Sequence, residues 1–170
     1  TNHENALLKR ILFEQRHPAY LFVSQILSDN YSGCVALGQY FVKQMGESGK
    51  DVELLGLVGD NNTWNRSKGF HSVVDRYPDL KMVAQQSADF DRNKALDVME
   101  SILQSQDDLD AVFCGNDAMA MGAYQALLAA GKANQVKVFG YDGVAASLLF
   151  SLEAYDSGTT HGINAAGWAL

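Results

Sequence analysis

Strand-length apolar runs alternate with helix-length segments along most of this chain, and that alternation restricts its fold more than any other feature. The runs fall at 19–27 (AYLFVSQIL), 52–59 (VELLGLVG), 80–85 (LKMVAQ), 111–113 (AVF) and 136–140 (VKVFG). Between and after them the spacing predicts helices from 30 to 46 or 49, then over 61–77, 91–104, 117–130 and 144–154. In the first helix Cys34, Leu37, Gly38, Phe41 and Met45 follow helical spacing, Asn30 stands where a cap is needed, and Gly46 or Gly49 can end it. Strands that are apolar on both faces and separated by helices predict an α/β fold, a doubly wound parallel sheet with helices on both faces. The tail SGTTHGINAAGWAL has no periodicity and stays unassigned.

Composition narrows the class. With 170 residues, 47% hydrophobic and 19% charged, the chain can bury a substantial core. Its formal net charge is −7 and it has no Lys/Arg cluster, which argues against a nucleic-acid partner. No apolar run is long enough to span a bilayer. The opening TNHENALLKRILFEQRH lacks the basic, apolar, small order of a secretion signal. Cys34 and Cys114 are read as buried small hydrophobes, with a disulfide as the lesser alternative. His3, His17, His71 and His161 are scattered without metal-ligand spacing, and each is read as a surface or loop residue. There is no G-x-G-x-x-G after a strand, no P-loop and no G-x-S-x-G, so no catalytic residues, cofactor or metal are assigned and the chain is read as a non-enzyme.

Ligands of such sheets gather outside the carboxyl ends of the strands. The junctions there read DNNTWNR, QSADFDR, CGND and YDG, and together they offer Arg66, Asp89, Phe90, Asp91, Asn116 and Asp142, with Asp89 and Trp64 as possible accessories. Each has a second reading. Asn116 and Asp142 suit a helix cap or a turn. Phe90 could staple to the residue four places into the helix, but Ala95 is a poor partner there. Arg66 lies on the stripe of Phe70, Val73 and Tyr77, at offsets of four, seven and eleven. It should emerge at the sheet's rim, unless its stem snorkels past the edge into water. As a set, two-pronged amide, carboxylate and guanidinium groups beside an aromatic ring suit a small polyol better than an anion.

SDNYSGCVALGQYF, LLGLVGDNNTWNRSKGF, SADFDRNKALDVMESILQ, AVFCGNDAMAMGAYQAL and VKVFGYDG together resemble the ribose-binding-protein group of periplasmic sugar-binding proteins, the receptors of bacterial ABC importers. The resemblance runs from Ser28 to Ala145 and covers the second lobe of a type I periplasmic-binding-protein fold. It implies a non-catalytic receptor that holds a pentose or hexose in a cleft, with Arg66 contacting the sugar, Phe90 stacking on its ring, and Asn116 and Asp142 hydrogen-bonding its hydroxyls. It also implies a periplasmic location, a membrane ABC permease as partner, and closure of two lobes on the ligand.

Residues 1–27 match the group poorly apart from a first strand, 28–154 form the sugar-binding lobe, and 155–170 are left unassigned. The group's first lobe has no counterpart, so the chain is read as a truncated receptor whose inter-lobe face would favour self-association into a homo-oligomer. The alternative is the effector-binding lobe of a lactose-repressor-type regulator, which requires a helix-turn-helix upstream.

Overall fold

A computed structural model describes residues 29–142 together with the backbone of 168–169. The strand expected at 19–27, the helix expected at 144–154 and most of the tail lie outside the described residues. In chain order the elements are α1 (Asn30–Met45), β1 (Gly49–Leu55), α2 (Asn61–Val74), β2 (Leu80–Ser87), α3 (Arg92–Ser105), β3 (Ala111–Cys114), α4 (Asp117–Ala129), β4 (Lys137–Gly140) and β5 (Trp168–Ala169). They form one sheet in the order β2-β1-β3-β4-β5. The first four strands are parallel, as expected, and β5 is antiparallel to β4.

The period of two along the strands builds two cores at once. Ala111 and Phe113 of β3 join Cys34, Leu37, Phe41 and Phe70 beneath α1 and α2. Val112 and Cys114 join Ala95, Met99, Ala120 and Leu127 beneath α3 and α4. Phe70 stacks on Phe113 with ring centroids 4.0 Å apart, which seats α2 directly on β3. Cys34 and Cys114 therefore lie in separate cores, both buried and unbridged. Burial pushes the Cys34 thiol up to about 12 and raises that of Cys114 as well.

Five expectations need correction. β1 ends at Leu55 rather than at 59, and Leu57 and Val58 are 49% and 59% exposed. At Gly56 a Cβ would lie 2.1 Å from Cζ of Phe90, so the ring occupies the space into which a continuing side chain would project. Second, the strands are not all apolar on both faces. β1 buries Asp51 and Glu53 to 1% exposure, and β2 is an edge strand with four exposed residues. Third, the cap of α1 is Asp29, whose Oδ1 accepts from the Ser32 amide at 3.0 Å. Asn30 is the first helical residue, and its side chain is used elsewhere. Fourth, His71 is neither a surface nor a loop residue. It sits in α2 with its ring 3.0 Å from Glu53 Oε2 and 2.8 Å from Asp75 Oδ1. α2 also ends at Val74, three residues before the expected stop, with the chain already turning ahead of Pro78.

Gly69 decides how closely α2 approaches α1. A Cβ there would fall 2.3 Å from the Tyr31 carbonyl oxygen, so only glycine lets α2 cross the first turn of α1 at this distance. That crossing brings Arg66 and Asn30 together.

Candidate functional site

The strand order reverses direction at β1: β2 lies on one side of it and β3 on the other. A crevice opens at such a point, where the loops leaving the carboxyl ends of the two strands part company. Gly56 follows β1 and Gly115 follows β3, with the Gly115 amide donating to the Leu54 carbonyl at 3.0 Å. Neither glycine adds a side chain, so the groups reaching this point come from the surrounding loops and from α2.

Arg66 occupies the centre. Its position on the apolar stripe of α2 carries it inward, and it is only 8% exposed. Nη1 donates to the Gly115 carbonyl at 2.7 Å, and Nε donates to Asn30 Oδ1 at 3.1 Å. Nη2 lies 2.9 Å from Asp142 Oδ1 and 2.7 Å from Oδ2. Two rings approach the guanidinium, Phe90 at 5.5 Å and Tyr141 at 4.6 Å from their centroids, within cation–π range. A snorkelling arginine would show its head to water, and this one does not.

Phe90 reaches the site through a strained turn. It has φ 60° and the preceding Asp89 has φ 54°, both in the left-handed region that non-glycine residues avoid. The turn is held on both sides. The Ser87 hydroxyl lies 2.7 Å from the Gly56 carbonyl and 2.8 Å from Asp89 Oδ1, while Lys94 pairs with Asp89 and lowers its carboxyl below the usual range. The ring lands over Gly56 rather than acting as a helix staple.

Asn116 does two things at once. Its Oδ1 caps α4 by accepting from the Met119 amide at 2.9 Å, and its Nδ2 lies 3.4 Å from the Phe90 carbonyl, tying two loops together. Asp142 follows β4 with φ 87°, again left-handed, and is exposed. Partial desolvation raises its carboxyl above the ordinary range, an effect that pairing with Arg66 opposes.

Thus Arg66, Phe90, Asn116 and Asp142, drawn from four separate junctions, are joined by direct contacts at one strand-end rim. Asp89 and Trp64 border it. Asp89 is engaged by Lys94 and Ser87, and the Trp64 indole N–H donates to the Val58 carbonyl at 2.8 Å. Sequence reasoning missed two members. Asn30 was a cap candidate by position, and no local signal distinguishes it from Asp29. Tyr141 was one more apolar residue at a strand end. Its ring is buried against the guanidinium, and its hydroxyl, pushed up to about 12 by burial, has no hydrogen-bond partner among the described residues. Among those residues no group of three or more His, Cys, Asp or Glu is arranged to hold a metal ion, and no helix is long and apolar enough to cross a membrane.

The family model described as "periplasmic binding protein domain" matches residues 8–163, further in both directions than the segment that carried the resemblance. A D-apiose import binding protein of Paraburkholderia graminis is 52% identical over 121 residues, covering 71% of this chain and 38% of that protein. A ribose import binding protein of Escherichia coli K12 is 44% identical over 121 residues, covering 71% of this chain and 40% of that protein. The chain thus spans about two fifths of the length of these relatives. Among solved structures, a periplasmic solute binding protein of an ABC transporter from Actinobacillus succinogenes, with bound D-allose, superposes with a TM-score of 0.71 at 34% identity, covering 74% of this chain and 44% of that one. A Caulobacter myo-inositol binding protein with bound myo-inositol superposes with a TM-score of 0.73 at 32% identity, covering 81% and 48%.

Proposed function

This chain belongs to the periplasmic binding protein domain family, among the sugar-binding receptors of ABC importers, and on that premise we propose that its rim is one wall of a sugar site. The ligand is a pentose, a hexose or a similar small polyol, bound without chemical change. Asp142 accepts from neighbouring hydroxyls, Asn116 donates through Nδ2, Phe90 offers its ring to the apolar face of the sugar, and Arg66 holds the carboxylate and supplies N–H donors and positive charge. The proposed setting is periplasmic, with delivery to a membrane ABC permease once a second lobe closes over the ligand. None of the relatives described above is named as a transcription regulator, and the repressor reading gains no support from the site.

The observation that carries this reading is the contact between Arg66 and Asp142 with Phe90 beside it. It joins groups from the ends of separate elements, with the Asp142 carboxylate exposed and Asn116 and the Phe90 ring half-buried.

The test is titration of the 170-residue chain with D-ribose, D-allose, D-apiose and myo-inositol, followed by NMR. A site that grips its ligand from one wall should bind in roughly the millimolar range, with shifts centred on Asn116, Asp142 and the Phe90 ring. Absence of any shift at high sugar concentration, or shifts confined to other faces, would overturn the proposal. Micromolar affinity would contradict the one-wall account.

A further inference from the structure

We infer that Asn30 is a positioning residue of the rim, setting the plane and reach of the Arg66 guanidinium. This rests on the reading of the rim as a sugar site. Asn30 is 7% exposed and begins α1, yet capping falls to Asp29, so its side chain is free for another task. Its Oδ1 accepts from Arg66 Nε at 3.1 Å, and its Nδ2 donates to Asn62 Oδ1 at 2.8 Å. The orientation of this amide follows from chemistry. Arginine has no acceptor, so the oxygen of Asn30 must face it, and the nitrogen must then find an acceptor on the other side. Asn62 provides one, and the second residue of α2 is itself fixed, because its amide N–H donates to Asp60 Oδ1 at 2.8 Å.

Three acceptors therefore surround one planar cation, each from a different part of the chain: Asn30 at the start of α1, the Gly115 carbonyl after β3, and Asp142 after β4. Two contacts on the Nη side, even with the Phe90 and Tyr141 rings beside the guanidinium, leave Nε without an acceptor. The third, on Nε, fixes its rotation, and with it the direction in which Asp142 is presented. Removing Asn30 Oδ1 would leave a buried, charged donor without its partner, and the guanidinium would move to recover one. A plain tie between α1 and α2 would need only two residues that pack. This arrangement orients a charge, and charge orientation has its own readout.

The experiment follows the Arg66 Nε–Hε resonance in the full chain, assigned by loss of the peak in Arg66→Lys. In the parent protein this proton should exchange with water far more slowly than those of exposed arginines. Asn30→Ala should bring its exchange close to the exposed rate and weaken D-ribose binding about tenfold, with backbone amide dispersion retained. Asn30→Asp keeps an acceptor toward Nε, and the Asn62 amide can turn over to donate to it, so this variant should restore slow exchange and most of the affinity. If Asn30→Ala does not fold, Asn62→Ala removes only the orienting partner and should give an intermediate exchange rate. A folded Asn30→Ala with unchanged Arg66 exchange, or an Asn30→Asp no better than Asn30→Ala, would overturn the inference. If the parent chain binds no sugar, the functional reading fails on its own, and the exchange rates still decide whether Asn30 holds the guanidinium.

Discussion

Arg66 Nη2 lies 2.9 Å from Oδ1 and 2.7 Å from Oδ2 of Asp142, a residue 76 positions away in the chain. The two side chains differ in exposure: that of Arg66 is 9% exposed and that of Asp142 is 39%. The pair thus runs from the interior to the surface, with the buried cation as the fixed end. Replacing Asp142 by Ala should leave part of that cation uncompensated and lower stability by about 1–3 kcal/mol, while Asp142→Asn keeps an acceptor and should lose less. Urea denaturation of the three proteins checks the order.

Gly56→Ala should dislodge the Phe90 ring, since the new methyl would stand 2.1 Å from Cζ. The expected destabilisation is about 1–3 kcal/mol. Adding Phe90→Ala removes the clash, so the double variant should be less unstable than the sum of the two single changes, by a coupling that a double-mutant cycle measures.

Asp51 carries a buried carboxylate whose two oxygens have no hydrogen-bond partner among the described residues. Burial pushes its pKa up to about 6, against 3.8 in the open chain, with the charge of His71 opposing and that of Glu53 adding to the rise. The folded state therefore holds this proton more tightly than the unfolded state. The stability linked to Asp51 is full below about 3.8 and is lost as pH rises through about 6. Asp51→Asn, neutral throughout, should flatten that part of the stability profile and be more stable near neutral pH by about 1–3 kcal/mol. Urea unfolding at stepped pH values gives the comparison.

His71, whose charge acts on Asp51, has the opposite preference. Its hydrogen bond to Glu53 first, and that to Asp75 next, raise its pKa from 6.5 to about 9 against the effect of burial. The charged form is favoured in the folded state. Its contribution is complete below 6.5 and disappears as pH rises through about 9. His71→Gln should remove the fall in stability across that alkaline window, measured by thermal melts between neutral pH and pH 10. A parent profile that stays flat there would refute the pairing.

Cys34 and Cys114 should resist thiol reagents in the native protein, because burial keeps both thiols protonated and sterically closed. Both should react once urea unfolds the chain. Fast native labelling of either would show that its core opens readily.

Much of the fold was legible because the parallel sheet is buried on both sides and leaves an apolar run wherever a central strand passes. β3 and β4 are such strands, and their positions were read within a residue or two. The reading failed where apolar character and burial part company. Leu57 and Val58 extend the run of β1 in sequence, yet they lie in the loop because the ring of Phe90 takes the space over Gly56. β2 was found as a strand, but its place at the sheet's edge was not visible, since strand order is a relation between segments and leaves no mark on any one of them.

The candidate site divides in the same way. Arg66, Phe90, Asn116 and Asp142 were identifiable because strand ends and helix starts are local signals, and because the motifs at those junctions resemble those of the sugar-binding group. Asn30 and Tyr141 were not, because their roles exist only once α1 crosses α2 at Gly69 and β4 delivers a ring beside the guanidinium. The pattern of side chains along the chain determined which segments become strands and helices and which polar groups reach the rim, since those follow from spacing and burial over a few residues. Which acceptor each N–H of Arg66 finds, and how far its charge is withdrawn from water, was decided only in three dimensions, because hydrogen-bond geometry depends on the mutual placement of α1, α2, β3 and β4 to within a fraction of an ångström.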